Sequence, residues 1–154
     1  MPRKFQFRLE VVRKLRERAR DAQRLTVADA AHAVVHAEQR VHQLTEQLRQ
    51  TVELNRGQRV AERVDVASLR VGEFYRNWLH HHIVEGGLHL AGEQARLSDE
   101  RLKLGQASAR LKAIEKLKQR RWSRYRKELL DEEQSAADEA ALRAFTVRSP
   151  EAHA

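Results

Sequence analysis

Apolar and small residues recur in a fixed rhythm through the first half of the chain, at Val27, Ala30, Val34, Ala37, Val41, Leu44, Leu48 and Thr51. The steps alternate between three and four. A 3.5-residue repeat sustained over several heptads is the period of a left-handed coiled coil. Upstream, Val12, Leu15, Ala19, Ala22 and Thr26 keep a similar rhythm. The join through Ala22, Thr26, Ala30 and Val34 advances by fours, which reads as a stutter that locally unwinds the supercoil. In the second half Leu90, Leu97, Leu104 and Leu111 are spaced by sevens. Ala91, Ala95, Leu102, Ala109 and Ala113 make a second stripe of smaller residues, and Ile114, Leu117, Tyr125 and Leu129 continue the apolar side.

Between the halves, Asn55-Arg56-Gly57 reads as a helix stop, and Asp65 or Ser68 as the N-cap of a second helix. The pattern predicts an all-α chain forming a single coiled-coil domain. Its parts are a helix over about 9–55, a turn over about 56–67, a helix over about 68–145 and a disordered tail over 146–154. One amphipathic helix alone leaves its stripe in water, whereas two helices joined by a turn bury it. The expected architecture is therefore an antiparallel coiled-coil hairpin with the second helix longer. With the turn near residue 61, residue i faces about 122 − i. The second helix then outruns the first by some 25 residues, about 35–40 Å. That overhang leaves Trp122, Tyr125, Leu129 and Leu130 uncovered, which implies a partner. Gly86-Gly87 and Gly92 weaken the second helix by roughly 1 kcal/mol each relative to Ala. A break there would give three helices instead of two.

Composition narrows the class. The 154 residues are 34% charged and 5% aromatic, with 2 Pro, both at the extreme ends, and no Cys. That length suits one ordinary domain. Without Cys there is no disulfide framework, Cys-ligated zinc, iron–sulfur cluster or thiol catalysis. No apolar run is long enough to span a bilayer, and the N-terminus lacks the apolar core of a signal peptide. Glu10, Glu17 and Asp21 count against a transit peptide, so the expected location is cytoplasmic.

Charge is distributed in blocks. The net charge is +8, with +6 over residues 3–24, −1 over 25–109, +8 over 110–127, −6 over 128–139 and +1 beyond. The expected register brings the two basic blocks to one end of the hairpin. Such blocks attract phosphate without sequence selectivity, yet no nucleic-acid module accompanies them. Nucleic acid is disfavoured, and a basic coiled-coil nucleic-acid-binding protein stands as the alternative. The apolar stripes are too narrow and Ala-rich for a membrane-surface hairpin.

Candidate chemistry is sparse. His32 and His36 have the i, i+4 spacing of a two-histidine metal face, without the intervening Glu or a third ligand. His80-His81-His82 with His89 resembles a metal tract, but three consecutive helical residues splay over about 200°. Asp131-Glu132-Glu133 reads as a solvated acidic face. There is no phosphate loop and no nucleophile elbow. The expectation is no enzyme, with no catalytic, cofactor-binding or metal residues. The cluster Phe74, Tyr75, Trp78, Leu79 and Ile83 is richer than one seam can use, so part of it reads as a docking face.

The opening Phe5-x-Phe7-Arg8-Leu9-Glu10-x-Val12-x-x-Leu15-Arg16-x-Arg18 resembles the start of the flagellar FliJ family. Phe74-Tyr75-x-x-Trp78-Leu79 is similar to the segment that opens that family's second helix. Lys116-Leu117-x-x-Arg120, Tyr125 and Asp138-Glu139-Ala140-Ala141 resemble its C-terminal pattern. The resemblance implies a non-enzymatic stalk of the flagellar type III export apparatus. It further implies that the end bearing the termini enters the hexameric export ATPase ring. Arg13, Arg16, Arg20, Arg120, Arg121 and Arg124 would then meet acidic loops, and Trp122, Tyr125 and Leu129 would pack in the central hole. Phe74, Tyr75, Trp78 and Leu79 would touch the cytoplasmic domain of the export gate. Export chaperones are further implied partners, with peripheral membrane association at the flagellar base through these partners.

Overall fold

Asp65 starts the second helix. Its Oδ1 accepts the Ala67 amide at 3.0 Å, its Oδ2 accepts the Ser68 hydroxyl at 2.5 Å, and its carbonyl accepts the Leu69 amide at 3.1 Å. These bonds satisfy donors that a helix start leaves orphaned. They also hold the Asp65 carboxyl below its ordinary range, with the Ser68 hydroxyl the largest cause.

The computed structural model describes residues 4–60 and 65–148. Helix α1 spans Glu10–Val60 and α2 spans Val66–Arg148. No strand occurs among the described residues. The two helices pair antiparallel as a hairpin with α2 the longer, at 83 residues against 51. Asn55-Arg56-Gly57 does not stop α1, which runs five residues further than expected. Residues 61–64, the middle of the expected turn, lie outside the described residues. α2 passes unbroken through Gly86, Gly87 and Gly92, so the three-helix alternative is excluded. It also continues to Arg148, into the expected tail, whose remaining residues lie outside the described ones.

Cross-helix neighbours set the register. Lys118 bonds Glu10, Gln23 bonds Glu100, and the backbone at Gly86 and Gly72 approaches the side chains of Val41 and Asn55. The numbers in these pairs sum to 123–128, so the register lies at or a few residues beyond the expected 122 − i. The longer α1 moves the midpoint of the hairpin toward higher numbers, which accounts for the shift.

The chain divides into two compact units, Ala19–Ala107 and Met1–Arg18 with Ser108–Ala154. In the first of these, the predicted α1 stripe is the seam. Ala30, Val34, Ala37 and Leu44 are buried, and Val27, Val41, Leu48 and Thr51 half-buried. On α2, Leu79 is fully buried, and Ile83, Gly86, Leu90, Leu97 and Leu104 are half-buried. The predicted second stripe is corrected: Ala91, Ala95 and Leu102 are exposed, as are Ala109 and Ala113 in the other unit. Ala91 sits about 100° round the helix from Leu90, and Ala95, Leu102, Ala109 and Ala113 each stand two places, about 200°, beyond a seam residue. The positions that complete the seam are Glu93, Glu100 and Ala107.

The upstream stripe is corrected too. Val12, Leu15, Ala19 and Ala22 are exposed, and there is no stutter. Counting back from Val27 in steps of four and three lands on Gln23, Arg20, Arg16 and Arg13, and these are half-buried, as are the neighbouring Glu17 and Thr26. The backbone keeps the coiled-coil rhythm while the apolar residues drift off the seam. Long polar side chains fill it instead, with their aliphatic stems covering the partner helix.

Candidate interaction surfaces

The first surface is built where the chain enters α1. Before Glu10 the backbone is not helical, and the Phe7 carbonyl accepts the Glu10 amide at 3.0 Å. This turn folds the entering segment onto α2. The Phe5 ring meets Trp122 edge-on at 5.1 Å and Tyr125 at 5.6 Å, and Trp122 and Tyr125 lie 5.7 Å apart. Phe7 is buried beneath two cations, with the Arg121 guanidinium 5.8 Å and the Lys118 ammonium 6.0 Å from its ring. Aromatic pairs and cation–π contacts of this kind each add on the order of 1 kcal/mol beyond area burial. Lys118 also donates to Glu10 at 2.9 Å. That bond, with Arg13 second, holds the Glu10 carboxyl below its ordinary range. A groove of about 390 Å³ lies here, lined by Phe5, Arg13, Glu115, Lys118, Gln119 and Trp122.

The implied ring-contact residues fall into two sets. Arg120, Arg121, Trp122 and Arg124 are exposed, and Tyr125 and Leu129 half-buried. Arg13, Arg16 and Arg20 instead turn toward the seam. Arg13 bridges Glu10 and Glu17 at 2.8 and 3.2 Å, and Arg20 bridges Asp21 at 2.7 Å. The Arg16 Nε is buried and finds no hydrogen-bond partner among the described residues. Around them Arg8, Lys14 and Arg18 are exposed. The uncovered overhang of α2 begins later than expected, because Phe5 reaches Trp122 and Tyr125. Beyond Tyr125, Leu130, Leu142 and Phe145 are exposed. The Phe5 and Phe7 contacts with α2 were not foreseen from the residues. The available signal was two of only eight aromatics spaced i, i+2 just ahead of the first helix.

The second surface lies on the other unit. Tyr75 and Trp78 stack at 5.7 Å with 12° between their planes, and His82 meets Trp78 edge-on at 4.2 Å. Arg40, Gln43, Leu44 and Gln47 of α1 complete a groove of about 300 Å³ with Tyr75 and Trp78. Phe74, Tyr75 and Trp78 are exposed, whereas Leu79 is wholly buried. The Glu85 carboxylate lies 3.1 Å from the His81 Nε2 and 3.0 Å from the His82 Nδ1. Among the described residues no group of three or more His, Cys, Asp or Glu is arranged to hold a metal. Among them, too, no helix is long and apolar enough to cross a membrane.

Two long helices paired along a partly polar seam, with exposed aromatic and basic patches, define a coiled-coil interaction protein. The chain matches the family model described as flagellar FliJ protein over residues 5–149, and it belongs to that family. The family is a non-catalytic flagellar one, and membership implies a component related to flagellar export. Searches of the curated proteins and of the solved structures return no match.

Proposed function

We propose that the chain is a non-enzymatic stalk and escort component of the flagellar type III export apparatus. Its terminal unit enters the ring of the export ATPase. Its aromatic patch meets the cytoplasmic domain of the export gate, and export chaperones are further partners. The protein works in the cytoplasm, held at the inner face of the membrane by these partners. The observation that carries the reading is the family match over nearly the whole chain. It is supported by the basic terminal unit, with its exposed Arg120, Arg121, Trp122 and Arg124 beside an uncovered helix.

An asymmetric shaft in a ring acts by contacting some subunit conformations better than others, which shifts their populations and needs no chemistry of its own. Exposed guanidiniums suit acidic loops, since Arg binds carboxylates in a bidentate fork. Half-buried Arg13, Arg16 and Arg20 act as struts of the seam in this reading, and the outward cations of α2 make the contact. ATPase turnover of the cognate ring with and without this chain tests it. Stimulation and co-elution are expected; the absence of both would overturn the ring contact. A DNA shift assay across salt covers the nucleic-acid alternative, for which a steep loss of affinity with salt is the signature.

A further inference from the structure

Two blocks of opposite charge meet end to end on α2, and both lie in one compact unit. Residues 110–127 hold nine bases and one acid; residues 128–139 hold six acids and no base. The register leaves α2 beyond Tyr125 without a stretch of α1 opposite it among the described residues. Leu130, Leu142 and Phe145 are more than half exposed there, and Trp122 nearly half.

We propose that this stretch is a self-association surface, on which α2 of a second copy of this chain lies antiparallel. Each copy's acidic block then rests on the other's basic block. The orientation is dictated by the order of the charges. A parallel pair sets like on like along its whole length, which is destabilising. An antiparallel pair about a two-fold axis near Glu128 sets Arg124 opposite Glu132, twice. The same side of α2 carries the exposed Leu117 and Leu142.

The contact is modest. A helix stretch of about 50 Å by about 10 Å from each copy buries on the order of 1,000 Å² in all, the lower limit for a specific interface. The dimer is therefore weak and sensitive to salt. It uses the face that the ring reading also uses, so the two states exclude each other. The inference needs no ATPase, and either can fail without the other.

Sedimentation equilibrium of the full chain across the micromolar range tests it. A monomer–dimer equilibrium is expected, with Kd rising at least about tenfold from about 0.05 M to about 0.5 M salt. Two charge-reversed variants sharpen the test. One carries Asp131→Lys, Glu132→Lys and Glu133→Lys; the other carries Arg120→Glu, Arg124→Glu and Lys127→Glu. Each alone is expected to raise Kd at least about tenfold while keeping its helical circular dichroism. Mixed in equal amounts, the two are expected to recover a heterodimer, because one variant's reversed block meets the other's reversed block with opposite sign. A strictly monomeric chain, a dimer indifferent to salt and to both reversals, or reversed variants that do not recover pairing would each overturn the proposal.

Discussion

At the residue scale, Leu79 and Glu46 carry separable consequences. Leu79 has no solvent exposure. Leu79→Ala removes buried methyl groups and leaves a cavity, so it should cost about 2–5 kcal/mol in urea unfolding. The exposed neighbours Tyr75 and Trp78 should tolerate Ala far better. Glu46 is held by Arg49 through bonds of 2.8 and 3.0 Å. With Gln50 second, this lowers its carboxyl from 4.5 to about 2. A depressed carboxyl contributes stability that is present above its unfolded value and lost as pH falls through the folded one. Thermal melts should therefore lose stability between pH 4.5 and about 2, and Glu46→Gln should flatten that limb. Lys103 is the mirror case: Asp99 first, then Glu100, raise it from 10.5 to about 12, and its contribution disappears as pH rises through that range.

At the scale of the element, glycine inside α2 distinguishes two environments. A Cβ at Gly87 would meet nothing within 4 Å, whereas one at Gly86 would lie 3.1 Å from the Val41 Cγ2. Gly87→Ala should stabilise the helix by up to about 1 kcal/mol, read from the urea midpoint. Gly86→Ala should gain less or lose, since Val41 must give way where the two helices approach closely. At the start of α2, Asp65→Ala removes the cap and should cost about 1 kcal/mol. The seam itself explains which stretches were legible beforehand. From Val27 to Thr51 the apolar residues and the 3.5-residue rhythm coincide, so the buried face could be read directly. Upstream of Val27 they part company, and Arg13, Arg16, Arg20 and Gln23 occupy positions that hydropathy assigns to solvent.

At the scale of the whole molecule, the charge blocks and the uncovered helix govern association. Trp122 stands beside Phe5 and Tyr125 on the basic unit, half open to solvent. Trp122→Ala should reduce stimulation of the cognate ATPase ring several-fold, while Trp78→Ala on the other unit should leave it near the unmodified level and weaken gate binding instead. Turnover assays and gate pull-downs separate the two. The candidate surfaces were legible only in part. Arg120, Arg121, Trp122 and Arg124 of the expected contact set are exposed. Arg13 and Arg20 are half-buried, since their positions fall on the seam rhythm, and they pair with carboxylates of their own helix.

Helix content, antiparallel pairing and the longer second helix were determined by the sequence alone. Each rests on local spacing: heptad steps, a capping Asp and a chain with no interior proline. Register, the polar seam and the docking of Phe5 and Phe7 on α2 were decided only by the tertiary structure. These depend on where α1 ends and on contacts between residues more than a hundred positions apart, and no local pattern encodes such distances.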